Sequence, residues 1–431
     1  MKNLKIEPCN LNGKIEIPPS KSMSHRAVIC ASLSEDKTKI QNVIFSKDII
    51  ATCEAMKSLG ANIDCIKEKK EIYIKGRNKL QLINNVIDCN ESGSTIRFLI
   101  PIALTQNNKV TFKGKGKLVE RPLDVYYKIF EEKGIEYKNS KGKLPLEVKG
   151  PLTAGTFKVR GDVSSQFITG LLFSLPLLDK DSKIIITTTL ESKGYVDLTF
   201  EMLNRFNIKI ENKDYKEFYI KGNQKYSSKD YKVEGDFSQA AFFLVAGLFG
   251  GDLTCSNIHK DSLQGDKAIL KIIKDMGGDI DIEKDKVKVF KSETKGTEID
   301  VSQCPDLVPV LSVLGALSKG KTKIVNAKRL RIKECDRLKA MATELKKIGA
   351  DIEELEDGLI IKGKEILEGG KEVDSWNDHR IAMALAIASI KCEKSIFIKN
   401  SDAVKKSYPS FWDDFKMLGG KVYECSMGKE R

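Results

Sequence analysis

The same short pattern occurs six times along this chain, at intervals of about seventy residues. In each occurrence a polar or glycine-containing cluster precedes an apolar helical stretch, and a second helix later ends at a Gly-like stop before a strand. A unit of this size is too small to bury its own sheet, so the repeat predicts units that stack around a shared core. The six clusters lie near Ser22, Gly93, Ser164, Phe237, Asp306 and Asp378.

The repeats predict two α/β (α+β) domains. Each repeat indicates the order helix–strand–helix–strand–strand, and this alternation favours compact domains over one extended solenoid. Because 431 residues exceed the length at which a single core keeps growing, six repeats divide into two sets of three. The strand segment before the first helix has no place in the first repeat, and we expect it to pair with the last one. The expected domains are residues 1–19 plus 235–431 (C-terminal) and residues 20–234 (N-terminal).

Composition limits the class of protein. The net charge of +13 biases the chain toward anionic ligands, either nucleic acid or small phosphates. Ten Cys without a CxxC pair and only three His exclude the spacing of a zinc ribbon, so we expect reduced thiols and no metal site. The first residues lack the apolar stretch of a signal peptide, and the longest apolar segments are too short to span a bilayer. We therefore expect a cytoplasmic protein.

The helix starts hold most of the unusual side chains. A helix N-terminus has unpaired N–H groups and a partial positive charge, so it attracts anions before any side chain contributes. At the first start Lys21, Ser22 and Arg26 bring together an ammonium, a hydroxyl and a guanidinium, which is unfavourable unless an anion offsets the charge. At the second start Gly93 lets an anion approach the backbone closely, and Arg121 lies before a proline in an extended segment downstream.

The third start carries neutral hydrogen-bonding groups. Ser164, Ser165 and Gln166 provide two hydroxyls and an amide, which suit a phosphate or several sugar-like hydroxyls. Ser192 follows in a predicted loop. Each of these residues also has an ordinary interpretation as a cap or loop residue, and that alternative stays open.

The C-terminal half adds acidic residues to the cations. Asp306 lies at the fifth helix start, where an Asp is also a common cap. In the segment RIKECDR, which is predicted to open a helix, Lys333 and Arg337 are four residues apart and share a face. Glu334 is expected to point elsewhere, where it could carry a proton. Arg380 lies in the first turn of a wholly apolar helix, where packing explains it poorly.

Eight cations recur at or near equivalent helix starts in both halves. Taken singly, each could be a surface charge or part of a salt-bridged helix. Taken together, they indicate a receptor for small polyanions. They are Lys21, Arg26, Arg97, Arg121, Lys333, Arg337, Arg380 and Lys406.

These segments resemble, in order and spacing, the motifs of the 5-enolpyruvylshikimate-3-phosphate synthase family of enolpyruvyl transferases. The matching segments are PPSKSMSHRA, SGSTIR, ERPL, SSQFITGLL, SKGYVD, VEGDFSQAAFFL, IKECDRLKAMATEL and NDHRIAMALA, which cover essentially the whole chain. The resemblance implies two domains, each of three βαβαββ repeats around buried helices (an inside-out α/β barrel), with the active site in the interdomain cleft. It also implies transfer of the enolpyruvyl group from phosphoenolpyruvate to the 5-hydroxyl of shikimate 3-phosphate, with release of phosphate.

The resemblance assigns a role to each candidate side chain, and it implies no cofactor and no metal. Asp306 would take the hydroxyl proton, Glu334 would protonate the methylene carbon, and Lys21 is a possible proton partner in either half of the reaction. The residues implied to bind shikimate 3-phosphate are Lys21, Ser22, Arg26, Ser164, Ser165, Gln166, Ser192, Asp306 and Lys333. Those implied to bind phosphoenolpyruvate are Lys21, Gly93, Arg121, Gln166, Arg337, Arg380 and Lys406.

Two alternative functions remain. A UDP-N-acetylglucosamine enolpyruvyltransferase would share the fold, but it has a Lys-Asn pair in the first motif, whereas this chain has Lys21 followed by Ser22. A non-catalytic, basic nucleic-acid-binding repeat protein would need aromatic side chains among its basic residues. Aromatic residues make up only 7% of the chain, and none flank Lys21, Arg337 or Arg380. We therefore expect a monomer with two small-molecule substrates as partners, and no nucleic acid or membrane.

Overall fold

The computed structural model describes residues 2–425 and divides into two compact units. One comprises residues 19–234 and is termed the N-terminal unit. The other comprises the residues up to 18 and those from 235 onward, and is termed the C-terminal unit. Each unit has its own cluster of buried apolar side chains. Within the described residues, each unit contains three four-stranded sheets.

The two units have matching sets of elements, numbered here in chain order. The described chain begins with two strands of the C-terminal unit, β1 (Asn3–Glu7) and β2 (Gly13–Glu16). The α-helices of the N-terminal unit are α1 (Lys21–Ser32), α2 (Lys47–Ser58), α3 (Gly93–Ala103), α4 (Asp124–Lys133), α5 (Ser165–Ser174) and α6 (Lys193–Arg205). Its strands are β3 (Lys37–Gln41), β4 (Asn62–Ile66), β5 (Glu71–Lys75), β6 (Val86–Asp88), β7 (Lys109–Lys113), β8 (Glu136–Ser140), β9 (Lys143–Lys149), β10 (Thr156–Val159), β11 (Ser182–Ile186), β12 (Ile210–Lys213), β13 (Glu217–Ile220) and β14 (Tyr231–Lys232).

The C-terminal unit continues after residue 234. Its α-helices are α7 (Phe237–Phe249), α8 (Ala268–Asp275), α9 (Val308–Ala316), α10 (Arg337–Lys347), α11 (His379–Ser389) and α12 (Phe411–Met417). Its further strands are β15 (Leu253–Ser256), β16 (Asp279–Ile282), β17 (Lys286–Phe290), β18 (Glu298–Asp300), β19 (Lys321–Val325), β20 (Asp351–Leu355), β21 (Gly358–Lys362), β22 (Glu372–Asp374), β23 (Ile396–Lys399) and β24 (Lys421–Cys425). Short 3-10 helices in the two units span Lys67–Lys69, Gly116–Glu120, Leu175–Leu177, Gly265–Lys267, Pro305–Leu307, Lys328–Ile332 and Ser401–Lys406.

All six sheets share one pairing pattern. One edge strand pairs in parallel with its neighbour, and the remaining pairs are antiparallel. In three of the sheets, those that contain β6, β10 and β18, this pattern results from a strand–helix–strand crossover followed by a helix and a hairpin. In the other three sheets, a strand from a distant part of the sequence completes the pattern. The strand segment before α1 divides between two sheets, because β1 pairs with β23 and β24 of the last repeat while β2 pairs with β15.

The helices that begin at the repeated clusters form the interior of each unit. In α3 and α5 nearly every residue is buried, and in α7 and α11 every residue is buried. Helices that are apolar on all sides require burial on all sides. The strands instead alternate, as in β5, where Ile72 and Ile74 are buried between more exposed neighbours. The predicted α/β (α+β) architecture of βαβαββ repeats around buried helices is therefore confirmed. In residues 2–425, no helix combines the length and hydropathy needed to cross a membrane.

Candidate active site

At the first helix start of the N-terminal unit, a lysine ammonium forms an ion pair with a carboxylate. Helix α1 begins at Lys21, and the Ser20 hydroxyl accepts a hydrogen bond from the Met23 amide as its N-cap. The Lys21 ammonium donates to Asp48 Oδ2 at 2.8 Å, and Asp48 lies in the first turn of α2. This side chain offsets part of the positive charge that the sequence places at this helix end.

Arg26 is buried among neutral oxygen atoms. Only 2% of the residue is exposed. Its Nε donates to the Thr199 hydroxyl at 3.0 Å, while its Nη atoms donate to the carbonyls of Ser22 at 2.8 Å and Tyr195 at 2.7 Å. Burial lowers the pKa of the Arg26 guanidinium to about 10. Because these partners carry no negative charge, the site retains an attraction for an anion.

The second helix start depends on a glycine. Gly93 is the first residue of α3, after the N-cap Ser92. A Cβ atom at Gly93 would lie 2.5 Å from Arg121 Nη1, far inside van der Waals contact. Arg121 itself has an extended backbone before Pro122, as the sequence predicts. The missing side chain therefore lets this guanidinium approach the N-terminus of α3.

The third helix start is bonded to the second. Ser164 caps α5, since its hydroxyl accepts from the Gln166 amide at 3.3 Å, and Ser165 is buried. The Gln166 side chain donates to the Ser94 hydroxyl at 2.9 Å and accepts from Arg97 Nη1 at 2.8 Å. The N-terminal ends of α3 and α5 are thus fixed relative to each other.

Ser192 has an unusual backbone. It immediately precedes α6 and has φ 55° and ψ 46°, a left-handed conformation that a non-glycine residue adopts at a cost. The residue is 2% exposed. Backbone strain of this kind concentrates at functional sites, and the turn brings the Tyr195 carbonyl to Arg26.

In the C-terminal unit, three cations converge on one carboxylate. Asp306 lies in the 3-10 helix Pro305–Leu307, where no side-chain cap is formed. Its Oδ1 accepts from Arg337 Nη1 at 2.8 Å and lies 3.5 Å from the Lys333 ammonium. Its Oδ2 accepts from Arg380 Nη2 at 3.2 Å. The cap interpretation of Asp306 is therefore wrong.

Arg337 connects Asp306 to two further carboxylates. The residue is 1% exposed, and its Nε donates to Asp378 Oδ2 at 2.8 Å while its Nη2 donates to Glu334 Oε2 at 2.9 Å. Burial lowers the pKa of Arg337, but Asp378, Glu334 and Asp306 outweigh it, so the net pKa lies well above the ordinary value. The ion pair between Arg337 and Asp378 is buried, and Asp306 and Glu334 extend it into a partly exposed network.

The charged segment before α10 differs from the sequence prediction in two respects. Asp336 is the N-cap, accepting from the Lys339 amide at 3.1 Å, so α10 begins only at Arg337 and Lys333 precedes the helix in an extended conformation. Glu334 does not point away from Arg337 but pairs with it. The prediction was wrong because it placed the helix start before the cap. Burial lowers the pKa of the Lys333 ammonium to about 8, although Asp306 acts in the opposite direction.

The last helix start holds two more cations. Asp378 caps α11 by accepting from the Arg380 amide at 2.8 Å. The Arg380 guanidinium reaches the Asp306 carbonyl at 3.2 Å as well as its carboxylate. Lys406 donates to the Asn377 carbonyl at 2.7 Å, directly before that cap. Lys406 therefore lies at the same helix start as Arg380.

Sequence reasoning left two carboxylates of these networks out of the site, and it counted Arg97 among the cations without assigning it to a substrate. Asp48 pairs with Lys21, Asp378 pairs with Arg337, and Arg97 donates to Gln166. The sequence could have predicted Asp378 as a site residue. An Asp before an apolar helix is typical of an N-cap, and cations that are buried near that helix start require carboxylate partners. For Asp48 the contact spans 27 residues and has no local signal.

The two units provide complementary chemistry. The N-terminal unit offers helix starts, hydroxyls, an amide and guanidinium groups, which suit phosphates and hydroxyl groups. The C-terminal unit offers carboxylates held among cations, which suit proton transfer next to an anion. In the part of the chain that is described, no group of three or more His, Cys, Asp or Glu could hold a metal ion.

Comparison with known proteins gives one family. The family model described as EPSP synthase (3-phosphoshikimate 1-carboxyvinyltransferase) matches residues 6–415. Proteins named 3-phosphoshikimate 1-carboxyvinyltransferase are 62% identical in Clostridium novyi and 59% identical in Clostridium acetobutylicum, each match covering 100% of both chains. The solved EPSP synthase of Acinetobacter baumannii is 25% identical with a TM-score of 0.85, covering 99% of this chain and 100% of that one. The enolpyruvyl transferase NikO from Streptomyces tendae shares the fold at 15% identity and a TM-score of 0.81, covering 98% of this chain and 99% of that one.

Proposed function

Because this chain belongs to the EPSP synthase (3-phosphoshikimate 1-carboxyvinyltransferase) family, we infer that it transfers the enolpyruvyl group of phosphoenolpyruvate to the 5-hydroxyl of shikimate 3-phosphate. The products are 5-enolpyruvylshikimate 3-phosphate and phosphate, and the reaction belongs to the shikimate pathway of aromatic amino-acid biosynthesis. The geometric observation that carries this function is the Asp306 carboxylate held between Lys333, Arg337 and Arg380. It places a proton acceptor among groups that bind anions.

Shikimate 3-phosphate is proposed to bind mainly to the N-terminal unit. Its phosphate and hydroxyl groups suit the hydroxyl-rich start of α5 and the strained turn before α6. Arg26 supports this proposal because its buried charge has only neutral partners. From the C-terminal unit, Lys333 contributes a cation and Asp306 faces the reacting hydroxyl. The full proposed set is Lys21, Ser22, Arg26, Ser164, Ser165, Gln166, Ser192, Asp306 and Lys333.

Phosphoenolpyruvate is proposed to bind to guanidinium groups and to the start of α3. It carries a phosphate and a carboxylate, and Arg side chains bind both in a fixed, bidentate geometry. The close approach of Arg121 to Gly93 supports this role. The proposed set is Lys21, Gly93, Arg121, Gln166, Arg337, Arg380 and Lys406. We propose that both units act on the same pair of substrates, since each set draws residues from both.

The reaction is proposed to proceed by addition and then elimination. In the addition, Asp306 takes the 5-hydroxyl proton, the oxygen bonds to C2 of phosphoenolpyruvate, and Glu334 delivers a proton to the methylene carbon. In the elimination, the bond between C2 and the phosphate oxygen breaks and the methyl group returns a proton to the Glu334 carboxylate, which restores the double bond. Lys21 is a second proton partner. The surrounding cations stabilise the charge that develops on the leaving phosphate.

The remaining features of the proposal concern the protein as a whole. We propose a monomer that acts in the cytoplasm, on small-molecule substrates and without a cofactor. The free thiols support a reducing compartment. A transfer of this kind needs no redox partner, because C2 exchanges one oxygen substituent for another and no atom changes its oxidation state overall.

The proposed function is tested by phosphate release from purified protein. With shikimate 3-phosphate and phosphoenolpyruvate together, we expect continuous release of inorganic phosphate, and with either substrate alone we expect none. UDP-N-acetylglucosamine in place of shikimate 3-phosphate is the matched comparison. Turnover of that sugar nucleotide, with no phosphate released from shikimate 3-phosphate, would assign the chain to the other enolpyruvyl transferase reaction.

A further inference from the structure

Four buried side chains of the N-terminal unit form a continuous hydrogen-bond chain outside the proposed substrate contacts. His25 Nδ1 lies 2.7 Å from Thr52 Oγ1, which lies 2.7 Å from Thr95 Oγ1, and Thr95 Oγ1 lies 2.7 Å from Ser92 Oγ. All four residues are 0% exposed. The chain joins side chains from α1, α2 and the start of α3, which are far apart in sequence.

The chain has a single direction. Ser92 Oγ accepts from both the amide and the hydroxyl of Thr95. The one hydroxyl proton of Thr95 is then used, so Thr95 accepts from Thr52, and Thr52 in turn accepts from the Nδ1–H of His25. Burial lowers the pKa of His25 well below its ordinary value, with Lys21 and Arg26 acting in the same direction, so the imidazole is neutral. Thr52 and Thr95 each donate one hydrogen bond and accept another, so removing either hydroxyl leaves a buried neighbour unpaired.

The chain ends at the proposed binding groups. His25 lies one turn from Lys21 on α1 and directly precedes Arg26. At the other end, Ser92 is the N-cap that directly precedes Gly93. Thr52 lies one turn after Asp48, which holds the Lys21 ammonium. Close packing limits the movement of buried helices, and a chain of satisfied buried hydrogen bonds further restricts them to one register.

We propose that Thr52 and Thr95 are positioning residues, which hold the start of α3, with Gly93, in register with the start of α1, with Lys21. The inference rests on the proposed function, since it assumes that these two helix starts bind phosphoenolpyruvate. Neither threonine touches the substrates. Their effect on the reaction arises because small displacements of groups that orient reactants reduce rates strongly.

The test compares Thr95→Val and Thr52→Val with Thr95→Ser. Valine keeps the shape of threonine and removes the hydroxyl, whereas serine keeps the hydroxyl. Thr38→Val is the matched control, because Thr38 is a buried threonine of the same unit whose hydroxyl has no hydrogen-bond partner. For each variant, kcat and both KM values are measured by phosphate release, and the folded fraction is measured by thermal unfolding.

We expect each hydroxyl-deleting variant of the chain to lower kcat/KM for phosphoenolpyruvate about tenfold. The KM for shikimate 3-phosphate should change less, because Ser22 and Arg26 of its proposed set lie on α1 itself, and α5 is linked to α3 only indirectly, through Gln166. Thr95→Ser should recover most of the activity, and Thr38→Val should match wild type. This separation of the two substrates is the result that a merely structural role does not produce.

Three results would overturn the proposal. The first is wild-type kinetics per folded molecule in Thr95→Val and Thr52→Val, whatever their melting temperatures. The second is an equal loss in Thr38→Val, and the third is an equal rise in both KM values. If neither valine variant folds, Thr95→Ala carries the same comparison, since it removes the hydroxyl without placing a methyl group against its partner. Wild-type protein that releases no phosphate contradicts the proposed function, which distinguishes the two failures.

Discussion

Each unit contains a buried guanidinium group, and the two groups have opposite kinds of partner. In the N-terminal unit, Arg26 is 2% exposed and donates to two backbone carbonyls and the Thr199 hydroxyl. In the C-terminal unit, Arg337 is 1% exposed and donates to three carboxylates. Burial lowers the pKa of Arg26 to about 10, whereas the carboxylates raise that of Arg337 above its ordinary value against the effect of burial.

The two buried arginines therefore suit different tasks, anion binding for Arg26 and proton transfer for the network around Arg337. Neutral partners fix the position of Arg26 without cancelling its charge, so an anionic ligand gains the full attraction. The carboxylates around Arg337 form a network in which a proton gained or lost by one group is felt by the others. Both groups proposed to move protons, Asp306 and Glu334, belong to this network. We therefore interpret Arg26 as part of a receptor for anions, and the network around Arg337 as the source of the acid–base groups.

The largest expected effect is on stability. Asp378→Asn keeps a good N-cap for α11 but removes one charge from a buried ion pair, so we expect the free energy of unfolding to fall by about 3–5 kcal/mol. Thr199→Val removes a neutral partner of Arg26, and the expected loss is about 1.5–3 kcal/mol. Both are measured by urea denaturation. Trp376 and Trp412 are the only tryptophans and lie in the C-terminal unit, so fluorescence reports that unit, and circular dichroism reports both.

Asp275→Asn provides the control for this comparison, because Asp275 is an exposed residue of the C-terminal unit. Its loss should be within about 0.5 kcal/mol of zero. Equal losses in Asp378→Asn and Thr199→Val would mean that carboxylate and neutral partners contribute alike, and the contrast between the units would not hold.

The next effect is on turnover. Asp306→Asn preserves the shape of the side chain and an acceptor oxygen for Arg337, but an amide takes no proton from the 5-hydroxyl. We expect kcat to fall roughly a hundredfold or more, with a modest change in either KM, as measured by phosphate release under saturating substrates. Thr199→Val in the N-terminal unit should show the reverse pattern, with a change mainly in KM. Near wild-type kcat in Asp306→Asn would remove Asp306 as the base.

Much of the fold follows from the repeated pattern. Helices begin at or next to all six predicted clusters, because each cluster combines a cap or a glycine with an apolar segment that must be buried. Ser164 caps α5, in agreement with the cap interpretation of its position. The family motifs identify the candidate site residues, and their roles toward the substrates stay predictions.

The remaining features of the candidate site depend on contacts between residues that are far apart in the sequence. The pairing of Lys21 with Asp48 and the bond of Thr52 to Thr95 cross 27 and 43 residues. The orientation of Glu334 depends on which acidic residue caps α10, and Asp336 does so because its side chain reaches the Lys339 amide. Such choices depend on tertiary packing, so sequence alone left them undetermined.

The smallest expected effect is a shift in pH dependence caused by Lys333. Burial lowers the pKa of this ammonium to about 8, so in the free enzyme its charge is lost as the pH rises through that value. Because a neutral amine attracts a phosphate weakly, kcat/KM for shikimate 3-phosphate should decrease above about pH 8.

In Lys333→Arg the guanidinium stays charged, so this decrease should move to higher pH. Lys339→Arg, an exposed substitution on α10, is the control and should leave the pH profile unchanged. The same alkaline decrease in Lys333→Arg would instead assign it to another group. The cations proposed to bind shikimate 3-phosphate would then lie in the N-terminal unit alone, which sharpens the comparison between the two units.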